Sequence, residues 1–316
     1  MRQALRRIGS FVLTMVIVSL LSFAAFDLIS GDPATALLGT EATEEALAAL
    51  REEMGLNRPL LVRYGEWLTG FFTGDLGTSY VYNQSVSEII APKIAVTLLL
   101  SFVSFLMIVA VSIPLGLHAS RRAGGAPEAA SSAVNQLCMA VPPFFTGMIL
   151  SYVFGVSLKW FMPGSFPDLA ADFGGALVHI CFAAIAIAIP RIAMTVRMLK
   201  STIQSQMCRD YVRTAISRGN DRGAVLRRHV LKNSLVPVIT FLAQTMAEIV
   251  AGGIVVEQVF SIPGLGRMLV ASISNRDYPM VQAIVVILAL WVVLSGTIAD
   301  LINQRIDPRL RLGGAK

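Results

Sequence analysis

Six apolar runs recur along this chain, separated by polar stretches of unequal length. They cover residues 8–29, 96–116, 137–158, 177–193, 235–256 and 281–302. A helix crosses the hydrocarbon layer of a bilayer with about 20 apolar residues, so the pattern predicts six transmembrane helices. Several runs carry breakers: Pro114, Pro142, Pro143, Gly147, Pro190, Gly252 and Gly253. In lipid these are tolerated where neighbouring helices or a water-lined path satisfy the freed backbone groups. Packing through small residues explains the glycines equally well. The first run follows Arg2, Arg6 and Arg7, a start shared by secretory signals and retained anchors. It outlasts the roughly 7–15 apolar residues of a signal core, which favours an anchor.

The polar stretches have their own patterns. Residues 30–93 hold nine acids against four bases. Within them, 44–54 reads as a helix closing at Gly55. Residues 60–72 read as an amphipathic one with Tyr64, Trp67, Leu68 and Phe71 on one face. Gly74, Asp75, Gly77, Thr78 and Ser79 mark turns. Residues 208–240, CRDYVRTAISRGNDRGAVLRRHVLKNSLVPVIT, form the most basic block. There 210–218 predicts a short helix with Tyr211, Thr214 and Ala215 at i, i+3, i+4. Gly219 suits a left-handed helix end, and Asn220 and Asp221 offer caps for a second short helix over 224–231. The block is either a solvated basic loop or a docking element for a cytoplasmic partner. In residues 257–279, Pro263, Gly264 and Gly266 make a turn, and 268–273 fit half a helix.

Composition agrees with a membrane protein. The chain has 316 residues, 55% hydrophobic and 15% charged, with mean hydropathy +0.67; soluble proteins carry about 25% charged residues. The net charge of +6 is segregated by loop, which argues for topology and against nucleic acid. On alternating loops, eighteen Lys and Arg fall on one side and seven on the other. Basic loops stay in the cytoplasm, so both termini and the block at 209–234 are expected inside, with residues 31–93 outside.

Candidate chemistry is sparse. No G-x-x-x-x-G-K-[ST] phosphate loop occurs, so any ATP must be used by another polypeptide. Cys138, Cys181 and Cys208 show no paired spacing, and His118, His179 and His229 no metal spacing. No cofactor or metal site is expected, and no nucleophile–base grouping supports an intramembrane enzyme. Four ionisable groups fall in or near the runs: Asp27, Arg191, Glu248 and Asp300. The two aspartates lie near span ends. Arg191 is placed to snorkel. Glu248 sits mid-run, where a charge costs about 2.5–3.5 kcal/mol on insertion scales. It is either protonated or paired with a neighbouring helix, or else a polar point on a translocation pathway.

The basic block resembles the cytoplasmic EAA loop of ABC-importer permeases, in its oligopeptide/dipeptide/nickel version. That motif reads Glu-Ala-Ala-x-x-x-Gly, followed further on by Ile-x-Leu-Pro. Aligned on Gly219, Arg213, Thr214 and Ala215 take the first three places, and His229 and Leu231 those of Ile and Leu. The Glu is absent, and Lys232 stands at the Pro, with Pro237 five residues later. The wording DYVRTA…RG…RHVLKNSLVPVIT is closer to the peptide-permease variant. GDPATALLG, MGLNRPLLVRYGEWL, GDLGTSY, FSIPGLGRMLV, RDYP and the ending DPRLR resemble the same family, from Gly31 to Arg311.

The resemblance implies an all-α integral membrane permease subunit of the cell inner membrane. Its parts would be an N-terminal tail and first span (1–30), an extracytoplasmic loop region (31–93), a permease domain (94–302) and a cytoplasmic tail (303–316). A coupling loop (209–234) would lie between the fourth and fifth helices. Besides membrane lipid, the implied partners are a second homologous permease, two cytoplasmic ATP-binding subunits and an extracytoplasmic solute-binding protein. These would deliver and drive peptides, nickel, opines or a related small solute. Tyr211, Arg213, Thr214, Ala215 and Gly219 are the candidate coupling residues. A secondary transporter or channel working alone is the rival reading, but no internal repeat of the kind such transporters show is apparent.

Overall fold

Long apolar runs with few charges have one economical solution in lipid, the helix, because it satisfies its own backbone. The computed structural model describes residues 2–29, 33–38, 42–53, 55–121 and 125–306, and the regular elements among these are helices joined by turns and loops. The elements are α1 (Arg2–Ile29), α2 (Pro33–Leu38), α3 (Glu44–Glu53), α4 (Leu60–Thr73), α5 (Val86–Arg121), α6 (Ala126–Ala140) and α7 (Pro143–Leu150). They continue with α8 (Phe173–Met207), α9 (Asp210–Ser217), α10 (Arg222–Val225), α11 (Leu231–Val259), α12 (Leu265–Ser274) and α13 (Tyr278–Ile306). Two π-helical stretches extend the set, Ser151–Ser157 after α7 and Leu226–Val230 between α10 and α11. Most of the resembling tail, including DPRLR, lies outside the described residues, as does the side chain of Asp27.

Among the described residues four helices are long and apolar enough to span: Val86–Arg121, Phe173–Met207, Arg222–Val259 and Tyr278–Asn303. The pair Ala126–Ala140 and Pro143–Ser157, bent by 95°, makes a fifth if it counts as one span. α1 is 28 residues long, with Gly9–Ala24 as its shorter apolar segment.

Several predicted boundaries move. The run at 137–158 is not one straight helix. Val141 (ψ 123°) and Pro142 (ψ 146°) are extended, because a residue before proline is pushed out of the helical region and Pro142 precedes Pro143. α8 is 35 residues, roughly 52 Å at 1.5 Å per residue, far longer than its apolar core. Arg197 and Lys200, expected in the loop, therefore ride on α8. Likewise Lys93, expected at the end of a loop, is inside α5. The second short helix of the basic block begins at Arg222 and runs without a break into α11.

The chain divides into two units. One holds residues 1–97 and 263–293, the other 98–262 and 294–316. In the first, α4 lays its amphipathic face on α1. Tyr64 and Ser19 hydroxyls are 2.8 Å apart, and the Phe23 ring meets Tyr64 edge-on at 5.7 Å. Trp67 and Phe71 continue that face. α4 closes at Gly74 with φ +86°, the left-handed cap that glycine adopts without a Cβ penalty. In the second unit α8 is the central helix, burying Ala183, Ala184, Ile187, Ala188 and Leu199. α6 lies antiparallel along it: Glu128 pairs with Lys200 at 2.6 Å, and Asn135 donates to the Ala193 carbonyl at 3.0 Å. Gly116 of α5 meets Leu199, where an added Cβ would stand 2.7 Å from a methyl. α11 packs on α8, where Ile187 lies against Gly253, and its Ile249 and Val250 are buried. Thr240 donates to the Asn303 amide oxygen at 2.6 Å, holding the end of α13 to α11.

Candidate coupling and passage sites

The basic block folds by local rules. α9 starts at Asp210, an acid suited to the positive end of a helix. It ends where Gly219 takes φ +84° and donates to the Ile216 carbonyl at 2.9 Å. The Asn220 side chain donates to the Ala215 carbonyl at 2.9 Å, satisfying an orphan acceptor of the last turn. Asp221 then caps the next helix, accepting from Gly223 N at 2.8 Å and Ala224 N at 3.2 Å. Helix, left-handed glycine and capped helix are thus all present as expected.

The faces of this element are unequal. Val212, Val225, Leu226 and Val230 are buried and anchor it. Tyr211 is half-buried and its hydroxyl donates to Gln206 Oε1 at 2.9 Å. Ala215 is half-buried, while Arg213, Thr214 and Gly219 are exposed. Ile216, which the sequence reading passed over, is an exposed apolar side chain of α9. Arg209, Arg218, Arg222, Arg227, Arg228 and Lys232 are exposed around it.

Glu248 does have a partner. Its Oε2 accepts from Nη1 of Arg191 on α8. Arg191 therefore does not snorkel; it stands halfway along a helix longer than its apolar run and turns to the acid. The pair is open to its surroundings, with the Glu248 side chain 51% and Arg191 26% exposed. On α11 the exposed stripe runs Gln244, Glu248, Ala251, Val255, with Gly252 half-buried beside it. A cavity of about 790 Å³ opens elsewhere in this unit between α5, α6 and α8. Its walls are mostly apolar, among them Leu115, Val134, Ile192 and Val196, and neither Arg191 nor Glu248 lines it.

The first unit contains a third polar site that the sequence reading missed. Asp277, 1% exposed, accepts from the Ser79 hydroxyl and from Tyr80 N at 3.2 Å. Ser79 is fully buried and its oxygen also accepts from Tyr82 N at 3.1 Å. The turn is closed by a bridge between Thr78 and Ser85, with Gly77 at φ +84°. GDLGTSY and RDYP, two of the resembling segments, are therefore one joint. Burial pushes the Tyr80 phenol up to about 12; Arg63 opposes this, and Asp277 and Tyr278 add to it. No periodicity links residues so far apart. The signals in the sequence were the turn residues at 74–79 and the family resemblance of both segments, neither of which pairs them.

Comparison with known proteins agrees over nearly the whole chain. Residues 112–312 match the family described as binding-protein-dependent transport system inner membrane component, and residues 1–101 its N-terminal family. The chain belongs to this family. It is a permease subunit of an ABC importer, a multi-pass membrane protein. A probable peptide ABC transporter permease of Sinorhizobium fredii is 32% identical over 307 residues, 97% of this chain and 98% of that one. The oligopeptide transport system permease AppB of Bacillus subtilis is 34% identical over 296 residues, 93% and 94% of the two chains. The glutathione transport system permease GsiC of Salmonella typhi is 32% identical over 307 residues, covering 97% and 98%. The permease thus has α9–α11 in the segment shared with its main family. The joint at Ser79 and Asp277 takes one residue from each of the two family segments.

Proposed function

We propose that the permease forms half of a passage for short peptides or a related small solute, opposite a second, homologous permease. A solute-binding protein delivers the substrate outside, and two ATP-binding subunits supply the energy inside. The chain has no phosphate loop, so it hydrolyses no ATP itself. α1, α5, the bent α6–α7 pair, α8, α11 and α13 are the six spans. Both termini and the 209–234 loop are cytoplasmic, and residues 31–93 lie outside.

The observation that carries this reading is the short helix α9, set in an exposed basic block and joined through a capped turn to a 38-residue helix, Arg222–Val259. Such an element lays a helix into a groove of a partner. Tyr211, Arg213, Thr214 and Ala215 are the contact residues, and Gly219 sets the angle of approach. When the ATPases close on ATP they move α9, and the unbroken helix carries that displacement roughly 39 Å, at 1.5 Å per residue, from Arg222 to Glu248. Glu248 faces the passage, because an exposed carboxylate in lipid costs about 2.5–3.5 kcal/mol.

The test reconstitutes the permease with all its partners. Tyr211→Asp and Gly219→Val should leave the chain inserted and abundant, yet weaken ATPase co-purification and abolish substrate-stimulated hydrolysis. Full retention with normal uptake in both would reduce the block to a charge that sets topology. For sidedness, single cysteines are placed at Gln84 and Ser217, both exposed. On intact cells an impermeant thiol reagent should label the Gln84→Cys protein and spare the Ser217→Cys protein; the reverse would refute the orientation.

A further inference from the structure

An ion pair between two helices flanks their apolar interface and faces whatever lies beside it. At the interface of α8 and α11, Ile187 lies against Gly253, and Ile249 and Val250 of α11 are buried. The pair of Arg191 and Glu248 is placed at its margin, with the carboxylate 51% exposed. One turn further along α11, a side chain added at Gly252 would meet nothing within 4 Å, so there is free space beside the acid. Gln244, one turn before it, is exposed and polar. The arrangement therefore brings together an anion, an amide and open room on α11 and a guanidinium on α8, within two long apolar helices.

We propose that Arg191 and Glu248 form a binding station for the two charged ends of a short peptide. The proposal rests on the reading of this stripe as passage lining. Glu248 takes the terminal ammonium, and Arg191 takes the terminal carboxylate, for which its planar fork is matched. At rest the two side chains neutralise each other, so neither charge is left without a partner. When a peptide arrives, the pair opens and each half exchanges its partner for a substrate charge. The number of charge pairs does not fall, which allows entry without a trap, and release re-forms the original pair. A peptide with one end blocked leaves one protein charge unmatched and is disfavoured.

The experiment uses the complete importer in proteoliposomes and three forms of trialanine: free ends, N-acetylated and C-amidated. Uptake is measured with wild-type permease, with Glu248→Gln, with Arg191→Gln and with the exchange Arg191→Glu/Glu248→Arg. The same binding protein is used throughout, so its preference cancels when each variant's uptake ratio is divided by that of wild type. Glu248→Gln is expected to lower the free-to-acetylated ratio at least fivefold and to spare the free-to-amidated ratio. Arg191→Gln is expected to do the converse. Proportional loss of all three peptides, with the exchange variant restored at wild-type ratios, would mean a stitch between helices and overturn the proposal.

A second measurement needs no charge variant. With Gly252→Cys in a cysteine-free chain, delivered free-ended trialanine should slow thiol labelling at least threefold, and trialanine blocked at both ends should not. Equal labelling with both peptides would overturn the proposal while the passage reading stood. Absence of any ATP-dependent solute uptake by the wild-type complex would overturn the passage reading, and this station with it.

Discussion

Asp277 and Glu248 are both acids that fasten distant parts of the chain, yet they are built in opposite ways. Asp277 is 1% exposed and answered by a hydroxyl and a backbone N–H. Glu248 is half open and answered by one guanidinium. A buried acceptor that loses its partners, or leaves its donors bare, costs the full desolvation of those groups. An exposed pair is screened and contributes little. The difference teaches where rigidity and where exchange are built in: the joint at Asp277 cannot open cheaply, and the pair at Glu248 can.

The strongest way to break the comparison is Asp277→Ala. It strands the Ser79 hydroxyl and Tyr80 N, and we expect a loss of about 2–4 kcal/mol, within the range for broken buried networks. Thermal melting of the detergent-solubilised permease should show it; an unchanged midpoint would mean the joint is not closed. Next comes Gly219→Val, which forces a β-branched residue into left-handed backbone at φ +84°. Roughly 1–2 kcal/mol of local strain should appear as faster hydrogen exchange confined to 215–225. Ser79→Ala is expected to cost about 1–2 kcal/mol, as its bonds to Asp277 and from Tyr82 N are deleted while Tyr80 N keeps Asp277. Glu248→Gln should sit at the bottom of the scale, within about 0.5 kcal/mol as for a surface change. A loss as large as that of Asp277→Ala would erase the distinction between the two acids.

Tyr80 sharpens the joint from the alkaline side. Its folded pKa of about 12 lies above the ordinary value of 10.0. The folded state therefore holds its proton after the unfolded chain has released it, and stability falls as pH rises through that interval. Tyr80→Phe should flatten the decline between those two values in a melting series; an identical slope would place the effect elsewhere.

Several features were legible in the residues themselves because they depend on neighbours in sequence. Four spanning helices, with the bent pair as a fifth, follow from hydropathy, the end of α9 from Gly219, and the cap of α10 from Asp221. The aromatic face of α4 follows from helical spacing, whereas its seat on α1 against Phe23 came only with the fold. Other features needed the fold. The break at Pro142 came from two adjacent prolines whose joint effect on direction, a bend of 95°, no hydropathy window measures. α8 outran its apolar core because polar residues such as Lys200 find partners on α6 and keep the helix going. Pairings across long separations, Ser79 with Asp277 and Arg191 with Glu248, are not encoded in any local pattern. A carboxylate's sequence neighbours state that it is costly in an apolar setting; only the packing of helices decides which group offsets that cost.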